Sequence, residues 1–314
     1  MAAIIPTGEV VWGLQLPIQS QSTHFVQPWE SAAGAGELAT VARAADAAGA
    51  FYVAVCDHIA VPRPADEAMS ATWYDTVATL GWLAAQTTRT HLLSHVYVLA
   101  YRHPLATAKA FLTLDRLSAG RAILGAGAGH LASEFALLGV EFDARGRAVE
   151  AAIPVIRAAF EDEYPTAGGP GAEVGVGMAP RPVRPGGPPI WIGGSSKVAI
   201  TRAALMGDGW LPQGPPKMGM SNALAHIREA RESAGLPAAF DVGVTAGPVY
   251  LGEPAFDVEP FCVTGSAEQV AEHLRRFPPK GINQLQVGFR GRDSAEMTDQ
   301  IVRFGAEVAP LLAG

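Results

Sequence analysis

The chain has 314 residues, 49% of them hydrophobic, and a formal net charge of -7. That apolar share is ample for a core and excludes a disordered chain, and the acidic balance excludes the basic footprint of a nucleic-acid binder. Two cysteines, Cys56 and Cys262, are too few for a disulfide scaffold and are expected as reduced thiols.

The opening "MAAIIPTGEVVWG" has neither the basic region nor the apolar stretch of a secretory signal. No apolar run approaches the ~20 residues of a membrane span. The expectation is a cytoplasmic protein without a membrane partner.

In chain order, "EVVWGLQLP" (9–17) reads as a strand, and "GELATVARAADAAGA" (36–50) as a helix stopped by Gly49. "FYVAVCD" (51–57) is a second strand, followed by a helix over 74–88 with Asp75 as N-cap. "HLLSHVYVLA" (91–100) is a third strand, and 103–120 a helix with Pro104 in its first turn and Gly120 past its end. "RAILGAGAG" (121–129) is a fourth strand running into a glycine loop. A long helix follows over 144–162, where Pro154 is expected to introduce a kink. Strands at 188–194, 208–212, 240–251 and 282–290 alternate with helices at 196–207, 222–235, 266–277 and 294–312. Ser266 and Gln269 have the spacing of a capping box.

Eight apolar strands, each followed by a helix, predict a parallel sheet closed into a (β/α)8 TIM barrel. An open doubly wound sheet is the alternative, and it rarely needs eight strands in so regular a succession. Residues 163–187, rich in Gly and Pro, and 252–264 interrupt the rhythm as insertions. The expectation is one domain over 1–314 with these two excursions, and the first is a candidate lid.

In such a barrel the active site lies at the C-terminal ends of the strands. The second strand ends on Asp57-His58. Adjacent strand residues point oppositely, so one of the pair faces the mouth and the other the helix layer. His58 is a candidate acid, base or ring-contacting donor, with Asp57 orienting the local backbone; a polar strand end without chemistry is the plain alternative. After the fifth strand, "GGSS" (193–196) reads equally as an anion cradle at a helix N-terminus or as a tight capped turn. "GAGAG" (125–129) departs from the dinucleotide fingerprint, since position 130 is His, and by itself reads more simply as a turn. His95 inside a strand reads first as a hydrogen-bonded core residue. His91 and His95 share a strand face, yet no set of His, Asp and Glu with metal-ligand spacing accompanies them, so no metal is expected. Trp12, Phe25, Trp29, Trp73 and Tyr101 are candidates for an apolar pocket and equally for the core.

The segments "VCDH", "YRHP", "LDRLSAGRAILGAGAGH" and "PIWIGGSS…GDGW" together resemble the bacterial luciferase-like superfamily, in the branch that uses coenzyme F420, a deazaflavin. The resemblance spans roughly 10–310. It implies a (β/α)8 barrel with the cofactor ring at its mouth. His58 would lie near the reactive face, and His95-Val96 would form a non-prolyl cis peptide under the ring. Gly127, Ala128 and Gly129 would pass beside the ring, and Gly193, Gly194, Ser195 and Ser196 would hold the phosphate. The implied reaction is hydride transfer between reduced F420 and an unsaturated or carbonyl small molecule. A flavin mononucleotide (FMN) monooxygenase fed by a separate reductase, and a non-catalytic carrier of either cofactor, are the alternatives. A homodimer is also implied. Some sugar dehydrogenases of this branch place a proton-donating glutamate where this chain has Ala128, so His130, Glu134 and His24 are the candidates to supply a proton.

Overall fold

The computed structural model describes residues 3–23, 26–165 and 177–312. Eight parallel strands form its centre: β1 (Val11–Gln15), β2 (Tyr52–Val55), β3 (His91–Ser94), β4 (Ala122–Gly127), β5 (Ile190–Ile192), β6 (Gly209–Trp210), β7 (Asp241–Leu251) and β8 (Gln284–Phe289). Each pairs with the next, and the last closes on the first, Val11 opposite Gln284. A (β/α)8 barrel results, as the alternation predicts.

The helices are α1 (Ala35–Ala47), α2 (Thr76–Ala84), α3 (Pro104–Leu117), α4 (Arg145–Glu161), α5 (Lys197–Met206), α6 (Met220–Ser233), α7 (Ala267–Leu274) and α8 (Ser294–Arg303). Their starts follow local chemistry. The Asp75 carboxylate accepts from Ala78 N at 2.8 Å and caps α2. Ser266 and Gln269 form the reciprocal capping box of α7. Helix α4 spans Pro154 without interruption. Among the described residues no helix is long and apolar enough to cross a membrane.

Two apolar layers hold the barrel. One lies between strands and helices; the other fills the interior with Ile5, Tyr52, Ala54, Leu93, Ile123, Trp191 and Leu211. Gly13 on β1 has no side chain because the Tyr52 ring fills the space, where a Cβ would lie 2.5 Å from it. Asp241 closes the N-terminal end by accepting from Ile4 N, Ile5 N and Trp191 Nε1. With that end plugged, the barrel is left open at its C-terminal mouth.

Four local features depart from the simple alternation. Strand β3 breaks after Ser94 and resumes at Tyr97–Val98, which pairs with Ala126 and Gly127 of β4. Val263–Gly265, at the end of the 252–264 excursion, adds a short parallel strand to the end of β7. Short helices form at Asp66–Met69 and Ala132–Leu137. Residues 166–176 of the other excursion lie outside the described residues, as do His24 and Phe25.

Candidate active site

At the C-terminal mouth lies a cavity of about 490 Å³, lined by residues from the ends of β1, β2, β3, β7 and β8 and by their loops. That is the size of an ordinary small-molecule site. The first loop is tied down by Glu30, whose carboxylate accepts from Ile18 N at 2.7 Å and Gln27 N at 2.9 Å.

Asp57 and His58 diverge, as extended backbone requires. Asp57 is 4% exposed. Its carboxylate takes a two-pronged grip from Arg102, at 2.6 and 2.7 Å, and a bond from Val98 N at 2.8 Å. The Thr76 hydroxyl donates to it at 3.1 Å. Burial disfavours the Arg102 charge, yet the Asp57 contact overrides that and raises its pKa. The pair therefore staples the end of β2 to the resumed β3 and to α2.

His58 belongs to a different network. Its Nδ1 lies 2.7 Å from Glu134 Oε2. Glu134 sits in the Ala132–Leu137 helix and is fully buried. Its other oxygen accepts from Ile59 N at 2.7 Å and Ala60 N at 3.0 Å, and the Tyr101 hydroxyl donates to Oε2 at 2.8 Å. Burial by itself would raise the Glu134 pKa, but the His58 bond, the Ala60 amide and Tyr101 outweigh it and hold the carboxyl at about 2. An ionised carboxylate is acceptor-only, so His58 Nδ1 bears a proton and Nε2 is the nitrogen left for a guest. The ring is further set by Trp73, at 4.4 Å between centroids, and by His130 at 5.5 Å. The pKa of His130 is lowered by burial and by proximity to His58.

His95 is 1% exposed and fully committed. Its Nε2 faces the Leu211 carbonyl at 3.2 Å, Gln286 Nε2 faces its Nδ1 at 3.2 Å, and Gln213 holds its own carbonyl at 3.1 Å. Burial lowers its pKa to about 4, so the ring stays neutral. His91, at the opposite end of β3, stacks on Phe51 and bonds its carbonyl. The His95–Val96 peptide is cis, at the place the resemblance implies. Val96 projects against the glycines. A Cβ at Gly193 would sit 2.6 Å from Val96 Cγ1, and one at Gly127 would overlap Val96 Cγ2 outright. These two glycines thus act through Val96, by letting it sit low on the cavity floor. Gly129, at φ +80°, leads the chain past Val98 and Phe135 to His130. Ala128 beside it is half-buried.

"GGSS" opens α5. Gly194 has φ +98°, and its carbonyl accepts from Trp210 Nε1 at 2.9 Å. The Ser196 hydroxyl caps the helix by accepting from Ala199 N, and the Ser195 hydroxyl donates to the Gly214 carbonyl at 2.7 Å. The Ser195 proton is therefore committed, whereas Ser196 keeps its O–H to donate. Among the described residues, the first-turn amides of Lys197 and Val198 have no partner within the chain, as expected of a helix start.

Of the aromatic candidates, Trp73 lines the cavity. Trp12 packs in the core against Phe289 and Phe304, and Tyr101 serves Glu134. Sequence reasoning names Glu134 only as a proton source and misses it as the partner of His58. It also misses Glu30, Glu259 and Arg290. "QPWE" carries a signal, because Gln27 and Glu30 have capping-box spacing, whereas Arg290 follows the last strand with no motif around it.

The family model described as luciferase-like monooxygenase matches residues 18–255. The chain belongs to that family. An uncharacterized protein of Mycobacterium tuberculosis is 28% identical over 263 residues, covering 80% of this chain and 84% of that one. An F420-dependent glucose-6-phosphate dehydrogenase of Kineococcus radiotolerans is 31% identical over 208 residues, covering 64% and 59%. The solved structure of a coenzyme F420 dependent tetrahydromethanopterin reductase from Methanopyrus kandleri superposes with a TM-score of 0.73 at 20% identity, over 96% of this chain and 99% of that one. At that identity the likeness establishes the fold alone.

Proposed function

We propose that this protein is an F420-dependent oxidoreductase that transfers a hydride between reduced deazaflavin and an unsaturated or carbonyl small molecule. The observation that carries the reading is His58: a histidine whose Nδ1 is locked by a buried carboxylate and whose Nε2 is left for a guest in the mouth cavity. The F420-dependent relative at 31% identity supports the choice of cofactor.

The residues present fit the cofactor. Val96 offers an apolar floor, and Gly127 and Gly193 make room for it. The Lys197 and Val198 amides at the α5 N-terminus suit a phosphate. The Ser195 proton is taken by the Gly214 carbonyl, so the Ser196 O–H and the backbone N–H groups make this contact. When bound, reduced F420 supplies a hydride, two electrons with one proton, to an electrophilic carbon. The electron pair displaced from that C=C or C=O bond must be met by a proton. In this reading the doubly protonated His58 ring delivers its Nε2 proton, while Nδ1–H stays bonded to the Glu134 carboxylate, which holds the ring and compensates its positive charge. His130, 5.5 Å away, is the path by which His58 regains a proton from solvent. Asp57 is a positioning residue, since its oxygens are occupied by Arg102, Val98 and Thr76. The Trp73 face and the apolar mouth exclude water from the reacting carbon.

Titration with F420 and with FMN, followed by fluorescence and absorption, tests the reading. Micromolar F420 binding and enone-dependent oxidation of reduced F420 are expected. Micromolar binding of FMN without F420 binding would overturn it in favour of an FMN monooxygenase, the chemistry the family is named for.

A further inference from the structure

We infer that the substrate is uncharged and largely apolar, and that the Glu259–Arg290 pair sets this preference by removing the cation that an anionic substrate would need. The inference rests on the hydride-transfer reading of the same cavity and concerns the half of it beyond His58.

Among the described residues lining the cavity, Arg290 is the one guanidinium or ammonium group. It follows β8 directly and is half-buried. Its Nε and Nη2 bind both oxygens of Glu259 at 2.7 to 3.0 Å, and its Nη1 donates to the Phe289 carbonyl at 3.2 Å. The Arg290 contact lowers the Glu259 pKa, which keeps that carboxylate ionised at neutral pH. The two charges cancel where a phosphate or carboxylate would have to dock. Glu30, on the loop bonded to Phe289 and Gly291 beside Arg290, also lines the cavity. An anionic guest would find no free cation there and would have to displace Glu259 to reach Arg290.

The remaining surface mixes apolar side chains with neutral amides and hydroxyls such as Gln27, Gln213, Thr245 and Gln286. Val26, Met69, Trp73, Pro248, Phe261 and Phe289 supply its apolar part. Phe261 is 68% exposed, a large ring left to water at the mouth of a cavity. It stands two residues after Glu259, so the ion pair also fixes the loop that carries it. A neutral guest would cover that ring. The pair is thus both a charge filter and the anchor of the loop that carries Phe261.

Cyclohexenone and its ring carboxylate are suitable probes, being alike in shape and different in charge. Binding is measured by calorimetry on the protein with and without F420, and turnover by oxidation of reduced F420. Wild type is expected to bind the neutral probe at least about tenfold more tightly than the carboxylate. Glu259→Gln, which frees Arg290, should bring the carboxylate to equal or tighter binding, while Arg290→Gln should keep the neutral preference. Equal binding of both probes to wild type, no binding of either at millimolar concentration, or an unchanged ratio in a folded Glu259→Gln would each overturn the inference. The wild-type comparison holds even if a variant does not fold. A neutral-probe preference without F420-linked turnover would count against the proposed reaction and leave the charge filter standing.

Discussion

Glu134→Gln tests the core of the proposed site with almost no change in shape. The amide oxygen can still accept from Ile59 N and Ala60 N, so the loop after β2 keeps its anchor. The new NH₂ then faces His58 Nδ1 and the Tyr101 hydroxyl, where a carboxylate oxygen had accepted from both. An amide donor there makes Nδ1 an acceptor and moves the His58 proton to Nε2. Two charge-assisted contacts become neutral or mismatched, at about 1 to 1.5 kcal/mol each. A loss of about 2 to 3 kcal/mol lowers Tm by about 3 to 5 °C in a chain of this length. The larger effect falls on chemistry: without the carboxylate the cationic ring that delivers the Nε2 proton loses its charge partner, and kcat drops about 10²- to 10⁴-fold. Calorimetry gives the first quantity and steady-state oxidation of reduced F420 the second. Nitrogen chemical shifts of the His58 ring report the tautomer, which a merely structural carboxylate would leave alone. Glu134→Asp retains the charge and should recover part of kcat. A kcat within about threefold of wild type, or an unmoved tautomer, would refute the reasoning.

Gly193→Ala forces a Cβ to within 2.6 Å of Val96 Cγ1; overpacking of about 1 to 3 kcal/mol is expected, along with weaker F420 binding by titration, and Val96→Ala should restore part of both. Asp57→Asn leaves the half-buried Arg102 without its counter-charge, so a loss of about 3 kcal/mol or more in urea unfolding is expected; an unchanged midpoint would show that the staple contributes nothing. Folded His91 and His95 titrate near 4 against 6.5 when exposed, so the unfolded chain binds more protons between those values. Stability should therefore fall as pH drops from 6.5 toward 4, by up to about 1.4 kcal/mol per pH unit for each ring; His91→Gln should flatten that slope in urea midpoints. Glu134 acts lower: its contribution is present above pH 4.5 and is lost as pH falls toward about 2, so Glu134→Gln should flatten the acid limb.

The barrel was legible because each strand–helix unit declares itself locally. Apolar strands such as "FYVAVCD", caps such as Asp75 and Ser266, and stops such as Gly49 and Gly120 need only a few neighbouring residues to act. The break in β3 was legible only through a family resemblance, since nothing in the composition of "HLLSHVYVLA" interrupts a strand. The short strand at Val263–Gly265 was missed for a related reason: a three-residue run carries too little periodicity to stand out.

The site divides along the same line. That Asp57 and His58 end a strand, and must face opposite ways, follows from two-residue periodicity along the chain. Which of them meets a carboxylate and which an arginine does not. Glu134 is 76 residues from His58, Arg102 is 45 from Asp57 and Glu259 is 31 from Arg290. Nothing local to either member of a pair encodes such a distance, because it is closure of the barrel that brings the strand ends together. The sequence by itself determined the alternating units, their caps and the rim on which polar residues would gather. Only the tertiary structure decided the pairing of charges on that rim. That pairing settles which charges are already spent and which ring nitrogen, His58 Nε2, is left for a guest.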